Sequence, residues 1–174
     1  NVTTGVQNII IGGLAGDALT SGSENIAIGQ NALGAEDTGS HSIAIGRKAL
    51  FNQNYNGSAY NIAIGHQAGT NVTTGFQNTF IGGLAGDALT TGSQNVAIGY
   101  LALTSANSNE NYNVAIGTGS LMNLDGSGDM WNTAVGTNSG LSVTTGTLNT
   151  LIGGKSGDSL TTGGHNVAIG YEAL

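Results

Sequence analysis

The sequence predicts an all-β protein, a parallel β-solenoid of about ten coils, and three observations lead to this fold class. A phrase of the form Asn-x-Ala-Ile-Gly, or a close variant, recurs at intervals of 17–19 residues. Such an interval is too short for two helices with their turns, and each of the 31 glycines would cost a helix about 1 kcal/mol. Short runs of Ile, Val and Ala alternate instead with Thr-Thr-Gly and Gly-Asp turns, which is typical of stacked short strands.

The first residue of the phrase is asparagine in every coil but one, where Ser42 replaces it. Because the coils of a solenoid stack in register, these asparagines lie above one another. Stacked asparagine side chains form ladders of amide hydrogen bonds along the stacking axis. We therefore predict an Asn ladder that resists register slips. It consists of Asn8, Asn25, Asn61, Asn78, Asn95, Asn113, Asn132, Asn149 and Asn166.

The fourth residue of the phrase is isoleucine, with Val135 as the exception. Side chains alternate across a strand, so this residue lies opposite the small third and fifth residues, mostly Ala and Gly. We predict that the fourth residues stack into a buried structural core ladder, since a buried Ile contributes about 1.5–3 kcal/mol of transfer free energy. This predicted core ladder consists of Ile11, Ile28, Ile45, Ile64, Ile81, Ile98, Ile116, Val135, Ile152 and Ile169.

The opposite, small face of each predicted strand carries Ala and Gly where a solvated face would carry polar side chains. Small side chains allow another backbone to come close. Two interpretations follow: a thin coil in which both faces are internal, or a face that packs against identical chains around an axis. We favour the second interpretation, which predicts a homo-oligomer.

A longer period is superimposed on the coils. Residues 1–5 recur with small changes as residues 71–75 and 142–146, so four coils form one super-repeat. The super-repeats start near residues 8, 78 and 149. We interpret residues 1–174 as a single solenoid segment. Because both ends fall within a repeat, we expect the segment to belong to a longer fibre.

Charge and hydropathy exclude two classes of partner. The net charge is −7, and only Arg47, Lys48 and Lys155 are basic, so no basic stripe can follow a phosphate backbone. No apolar run approaches the ~20 residues needed to cross a bilayer as a helix. We therefore predict neither a nucleic-acid partner nor insertion into a membrane.

No group of residues has the spacing of a catalytic or metal site, so the sequence predicts no enzyme, no cofactor and no bound metal. The three histidines lack metal-ligand spacing. One Gly-Asp per super-repeat is too few for a calcium site, and we interpret it as a turn. The Thr-Thr pairs raise an ice-binding hypothesis, but they precede glycine and read better as turns. The three histidines are His41, His66 and His165, and the aspartates of the Gly-Asp turns are Asp17, Asp87 and Asp158.

Aromatic residues cluster in or beside the longest coils, namely Tyr55, Tyr60, Tyr112 and Trp131. Exposed Tyr and Trp among Asn residues suit recognition of carbohydrate or protein. Simple packing of the loops is the alternative. The four aromatic residues therefore form the candidate binding surface, with a cell-surface carbohydrate or protein as its partner.

The unit Asn-x-Ala-Ile-Gly-x-x-Ala resembles the head repeat of the trimeric autotransporter adhesins, the YadA-type β-roll. The longer phrase of residues 89–103 is similar to repeats in tail-fibre-like proteins of tailed phages and marine bacteria. The resemblance covers the whole chain. It implies a left-handed parallel β-roll, a homotrimer, and a place in an extracellular or virion fibre.

We expect a structural fibre or stalk segment that serves attachment at a cell or virion surface. Its main partner would be itself, as a homotrimer. The rival hypothesis is a self-assembling extracellular filament, a homopolymer whose subunits stack end to end. An ice-binding solenoid is the third hypothesis.

Overall fold

The computed structural model describes residues 2–105 and 109–174. These residues form an all-β parallel β-solenoid of about nine turns, and no helix occurs among them. The predicted fold class is confirmed at this level. Ten short strands stack into a continuous sheet, and a longer segment rich in turns leads once around the solenoid from each strand to the next.

Ten strands of three residues form the main sheet in the order β1-β2-β3-β4-β5-β6-β8-β10-β11-β12, and all pairs are parallel. The strands β7 and β9 form a second, two-stranded parallel sheet. The bounds are β1 Ile9–Ile11, β2 Ile26–Ile28, β3 Ile43–Ile45, β4 Ile62–Ile64, β5 Thr79–Ile81, β6 Val96–Ile98, β7 Glu110–Asn111, β8 Val114–Ile116, β9 Gly128–Asp129, β10 Thr133–Val135, β11 Thr150–Ile152 and β12 Val167–Ile169.

Neighbouring strands pair in the register that the repeat predicts. Ile28 pairs with Ile45, and Ala97 pairs with Ala115, so equivalent residues of successive coils stand above one another. The columns inferred from the repeat are therefore real columns of side chains.

The middle residue of each strand points into the solenoid, and the first and third residues point outward. Ala27, Ala97 and Ala134 are fully buried. The fourth residue of the repeat phrase is the third residue of its strand, and it is half-buried or exposed in every coil. The prediction of a buried core ladder is therefore wrong for Ile11, Ile28, Ile45, Ile64, Ile81, Ile98, Ile116, Val135, Ile152 and Ile169.

The reason for this error is that the opposite wall of the coil already supplies bulky buried side chains, such as Leu33 and Leu103, which fill the interior beside the alanines. Strand alternation decides which residues share a face, but the space inside decides which face is internal. The small face, which we expected to meet another chain, is packed inside the coil. Its alanines meet a second buried column of small residues, which consists of Ala15, Ala32, Ala49, Ala68, Ala85, Ala102, Ser120, Ser139 and Ser156.

Larger side chains fill the rest of the interior in a pattern that follows the super-repeat. Leu33, Leu50, Leu103 and Leu121 are fully buried. In the coil of Phe80, Gly86 occupies the position that Leu103 has in the next coil. A Cβ atom on Gly86 would overlap the Phe80 ring. The ring of one coil thus occupies the space that a leucine fills in another coil.

Because a ring and a leucine fill the same space in different coils, the effects of substitutions at Phe80 and Gly86 on the free energy of unfolding should not be additive. Phe80→Ala is expected to lower the free energy of unfolding by about 3–5 kcal/mol because it leaves a cavity. Gly86→Leu alone is expected to clash with the ring. The double variant should lose less than the sum of the two, since Leu103 adopts a φ of 55° close to the 59° of Gly86. Urea unfolding of the unmodified chain, the two single variants and the double variant measures the interaction free energy. Strictly additive losses of stability would contradict the prediction.

Candidate functional site

The outward face of the main sheet is almost entirely apolar. The first and third residues of the ten strands occupy twenty positions, all within the described residues, and these hold thirteen Ile, four Val and three Thr. None of the twenty side chains is buried. We name this surface the apolar stripe. Its first-residue column consists of Ile9, Ile26, Ile43, Ile62, Thr79, Val96, Val114, Thr133, Thr150 and Val167, and its third-residue column is the ladder from Ile11 to Ile169 described above.

The size of the apolar stripe exceeds what scattered surface residues would produce. Ten strands at a spacing of about 4.8 Å make it about 43 Å long. With a width of about 10 Å, it covers about 400 Å², within the range of about 300–600 Å² of the largest apolar patch on a typical monomer, and patches of that size are often functional. Ile64 and Ile81 in the middle of the stripe are each 37% exposed.

One edge of the apolar stripe is the column of residues that immediately precede the first residue of each repeat phrase; we name it the rim column. Every member adopts a left-handed backbone with φ between 52° and 63°, a conformation that is unusual for residues other than glycine. Backbone hydrogen bonds between coils hold these corners, such as His41 N–H to the Ser23 carbonyl at 3.1 Å. The column consists of Gln7, Glu24, His41, Tyr60, Gln77, Gln94, Tyr112, Trp131, Leu148 and His165.

Side chains of the rim column interact in pairs along the solenoid. The rings of Tyr112 and Trp131 stack face to face, with centroids 4.0 Å apart and an angle of 1°. The rings of His41 and Tyr60 lie 4.9 Å apart, and His41 also contacts the Glu24 carboxylate at 3.4 Å. The rim column is thus a stacked border along the apolar stripe.

The predicted aromatic surface is divided by the structure. Tyr60, Tyr112 and Trp131 share the rim column, and Tyr60 and Trp131 are exposed. Tyr55 lies in the loop of its long coil, half-buried, with its ring centroid 5.8 Å from that of Phe76. The four residues therefore do not form one surface, although three of them line one edge of the stripe.

The predicted Asn ladder is present, and it also binds the main chain. The Oδ1 atom of Asn78 accepts the backbone N–H of Asn95 at 3.0 Å and the side-chain Nδ2 of Asn95 at 3.2 Å. The Nδ2 atom of Asn78 donates to the Gly92 carbonyl at 2.9 Å. Equivalent bonds join the other neighbouring coils from Asn8 onward, except at the step from Ser42 to Asn61. Sequence reasoning missed the bonds to the turn carbonyls, because they come from residues outside the phrase.

A buried polar cluster compensates for the one coil that lacks a ladder asparagine. The side chain of Gln53 donates to Ser42 Oγ at 2.9 Å and accepts the Nδ2 of Asn61 at 2.8 Å. Gln53 also donates to the Glu36 carboxylate at 2.9 Å, and Glu36 accepts the Gly39 N–H at 2.7 Å. Since all these side chains are buried, Gln53 supplies the amide that Ser42 lacks.

The other candidate residues lie in turns or on the surface. Asp17, Asp87 and Asp158 lie in turns, as predicted, and burial raises the pKa of Asp87. The Arg47 guanidinium donates to the Nε2 atom of His66 at 3.1 Å. Within residues 2–105 and 109–174, no three His, Cys, Asp or Glu side chains come together as a metal site would require.

In three of the Thr-Thr pairs, those that begin at Thr3, Thr73 and Thr144, the hydroxyl of the first threonine is engaged in the turn. Thr73 and Thr144 donate to the carbonyls of Thr90 and Thr161, at 3.1 and 3.4 Å. These hydroxyls thus connect neighbouring coils, as turn residues do.

Comparison with protein-family models, with curated proteins and with solved structures gave no match. The resemblance to the adhesin and tail-fibre repeats therefore stays a prediction. Over the described residues, the structure has no helix with the length and hydropathy that crossing a membrane requires.

Proposed function

We propose that this chain is a structural segment of an extracellular or virion fibre, in which three parallel copies pack their apolar stripes against one another around a common axis. The apolar stripe is the observation that carries the proposal. A face of Ile and Val about 43 Å long loses free energy when it leaves water, at about 25 cal/mol per Å² of apolar area.

The surroundings of the apolar stripe support an interface larger than the stripe itself. A stable interface buries about 800 Å² on each partner, roughly twice the area of the stripe. The rim column adds the exposed Tyr60, Trp131 and Leu148 along one edge. Beyond the strand-ending glycines, the exposed Tyr100 and Tyr171 add area along the other edge. Aromatic residues of this kind are enriched in the buried centres of interfaces.

The assembly that fits one such stripe per chain is closed. Each copy has a single apolar face that runs parallel to the solenoid axis, so copies around a common axis cover all the apolar area at once. A homotrimer of left-handed rolls is the form that the resemblance to the autotransporter heads implies. The Asn ladder and the backbone bonds between coils would make such a fibre stiff, which suits a scaffold for attachment at a surface.

Sedimentation velocity tests this proposal directly. The unmodified chain is expected to sediment with the mass of three copies. The variant Ile64→Lys with Ile81→Lys should sediment as a folded monomer, because it places charges in the middle of the interface. Its matched control, Asn54→Lys with Asn56→Lys, adds the same charges on an exposed loop and should remain a trimer.

Three results would overturn the proposal. They are a monomeric wild-type chain, a trimer that persists in the stripe variant, and long fibres that support end-to-end stacking. Circular dichroism of each variant confirms that the β-structure is intact, so that loss of assembly is separated from unfolding.

A further inference from the structure

The edge of the apolar stripe opposite the rim column carries a second column of surface residues, which we name the flank column. Each member follows directly after the glycine that ends a strand, whereas each member of the rim column lies two residues before a strand begins. The two columns therefore border the same outward face along its whole length. The flank column consists of Gly13, Gln30, Arg47, His66, Gly83, Tyr100, Thr118, Thr137, Gly154 and Tyr171.

Symmetry determines which edges meet in the proposed trimer, on which this inference rests. When parallel copies all turn the stripe toward one axis, every interface is heterologous, so the rim edge of one copy meets the flank edge of the next. A closed ring has no displacement along its axis, and residues at equal heights therefore meet. Residues that border one strand have the same height, as Gln77 and Gly83 do on either side of β5.

The two columns complement each other in size at equal heights. On the rim column, Trp131 and Leu148 are large and exposed. On the flank column, the residues at the same heights are Thr137 and Gly154, which are small. In these two columns, all of whose members the structure describes, no strand has a Tyr or Trp on both of its edges. A large side chain of one copy thus meets a smaller one of the next copy, as close packing of an interface requires.

The two columns also match in charge. Glu24 is the one acidic residue of the rim column, and Arg47 is the one Lys or Arg of the flank column. The side chain of Glu24 is 53% exposed, and Arg47 is exposed. Glu24 precedes β2 and Arg47 follows the neighbouring β3, so their heights differ by about 4.8 Å, which an arginine side chain can span. Within one copy they lie on opposite edges of the stripe, so the two charges meet only between copies.

We propose that the rim column of each copy packs against the flank column of the next copy, where Glu24 of one copy forms an ion pair with Arg47 of its neighbour. The apolar stripe supplies most of the buried area. It cannot select the height at which the copies meet, because a shift by one coil again places Ile and Val against Ile and Val. The edge columns differ from coil to coil, so they fix the register of the copies and disfavour shifted pairings.

Introduced cysteine pairs test this edge contact, because the chain contains no cysteine of its own. Gln77→Cys with Gly83→Cys places one thiol on each edge of β5. A Cβ atom on Gly83 makes an ordinary contact of 3.4 Å with the Tyr100 ring, so the variant is expected to fold. Within one copy, the extended residues 78–82 separate the two cysteines by about 13 Å, whereas the Cα atoms of a disulfide lie within about 7 Å. Any disulfide must therefore join two copies.

Mild oxidation of this variant is expected to link each copy to both neighbours, so that a non-reducing gel shows three covalently joined chains. The matched control is Gln77→Cys with Thr137→Cys, in which both residues are exposed. Its two cysteines belong to the same edge columns but lie three coils apart, at heights that differ by about 14 Å. The control should give no linked chains.

Charge exchange tests the ion pair independently and without cysteine. Glu24→Lys and Arg47→Glu are each expected to weaken the association constant of the trimer at least about tenfold, because three pairs are lost and like charges then face each other. The double variant restores opposite charges in exchanged places. It should associate within about threefold of the unmodified chain.

Sedimentation velocity of the same samples separates this inference from the proposed assembly. A trimer in which the aligned cysteines do not link, or in which the control pair links instead, overturns the edge contact and leaves the trimer standing. Additive losses in the double charge variant overturn the ion pair. Linked chains that never exceed two support the edge contact and overturn the three-fold assembly, whereas a monomeric unmodified chain overturns both.

Discussion

Replacing Ala97 with aspartate is expected to prevent the chain from folding, whereas the same replacement at the adjacent Ile98 is expected to leave the solenoid folded. Ala97 is fully buried and pairs in register with Phe80 and Ala115. An aspartate there would place an unpaired carboxylate in the interior, which costs several kcal/mol even after relaxation. A loss of that size is comparable to the stability of an ordinary domain.

Ile98 lies one residue further along the same strand, with its side chain on the apolar stripe. An aspartate there reaches water, so it loses only the contacts with the side chains above and below it. Such cross-strand contacts are worth about 0.2–1 kcal/mol each. We expect a folded chain with nearly normal stability and weakened assembly.

Circular dichroism during urea unfolding measures the stability of both variants, and sedimentation velocity measures their assembly. Ala97→Ser, which is small and neutral, serves as the control for the buried position. Equal losses of stability in the two aspartate variants would mean that the assignment of the inner and outer faces is wrong.

The second large effect is expected at the glycine that ends each strand. Gly99 has a φ of 136°, a region that is essentially restricted to glycine. A Cβ atom on Gly99 would lie 2.6 Å from both the carbonyl carbon and the oxygen of Gly117 in the next coil. The same glycine stacks at the same position throughout the column. We therefore expect Gly99→Ala to lower the free energy of unfolding by about 3 kcal/mol or more, from backbone strain of about 1–3 kcal/mol and the clash together.

Gly83 provides the matched control, since it lies one residue after the strand-ending glycine of the preceding coil. A Cβ atom on Gly83 would make an ordinary contact of 3.4 Å with the Tyr100 ring. Gly83→Ala is therefore expected to be neutral or to stabilise the chain by up to about 1 kcal/mol. Urea titrations of both variants provide the comparison. If Gly99→Ala were as well tolerated as Gly83→Ala, the close stacking of the glycine column would be disproved.

The repeat was sufficient to predict the columns, because each coil must present the same residues to the next one. The pairing of Ile28 with Ile45 and the hydrogen bonds of the Asn ladder both follow from that rule. The turns at Asp87 and at the threonine pairs also agree with the local preferences of their residues.

The binding surfaces could not be predicted in the same way. Tyr55 and Trp131 looked equivalent in the sequence as aromatic residues of long coils. In the folded chain one packs against Phe76 and the other borders the apolar stripe. In the second super-repeat Gly126 replaces Tyr55, and the side chain of Met130 occupies the space beside it, which the sequence alone does not show.

A repeat of 17–19 residues was thus enough to establish a solenoid, its register and its ladders, since these depend on residues that recur along the chain. Which face of each strand is internal was decided by tertiary packing. Alternation assigns Ala97 and Ile98 to opposite faces, but buried leucines such as Leu103 already fill the interior, so the alanine packs inside and the isoleucine remains outside. The face expected to contact other chains is therefore the apolar stripe of Ile and Val side chains, and not the face of Ala and Gly.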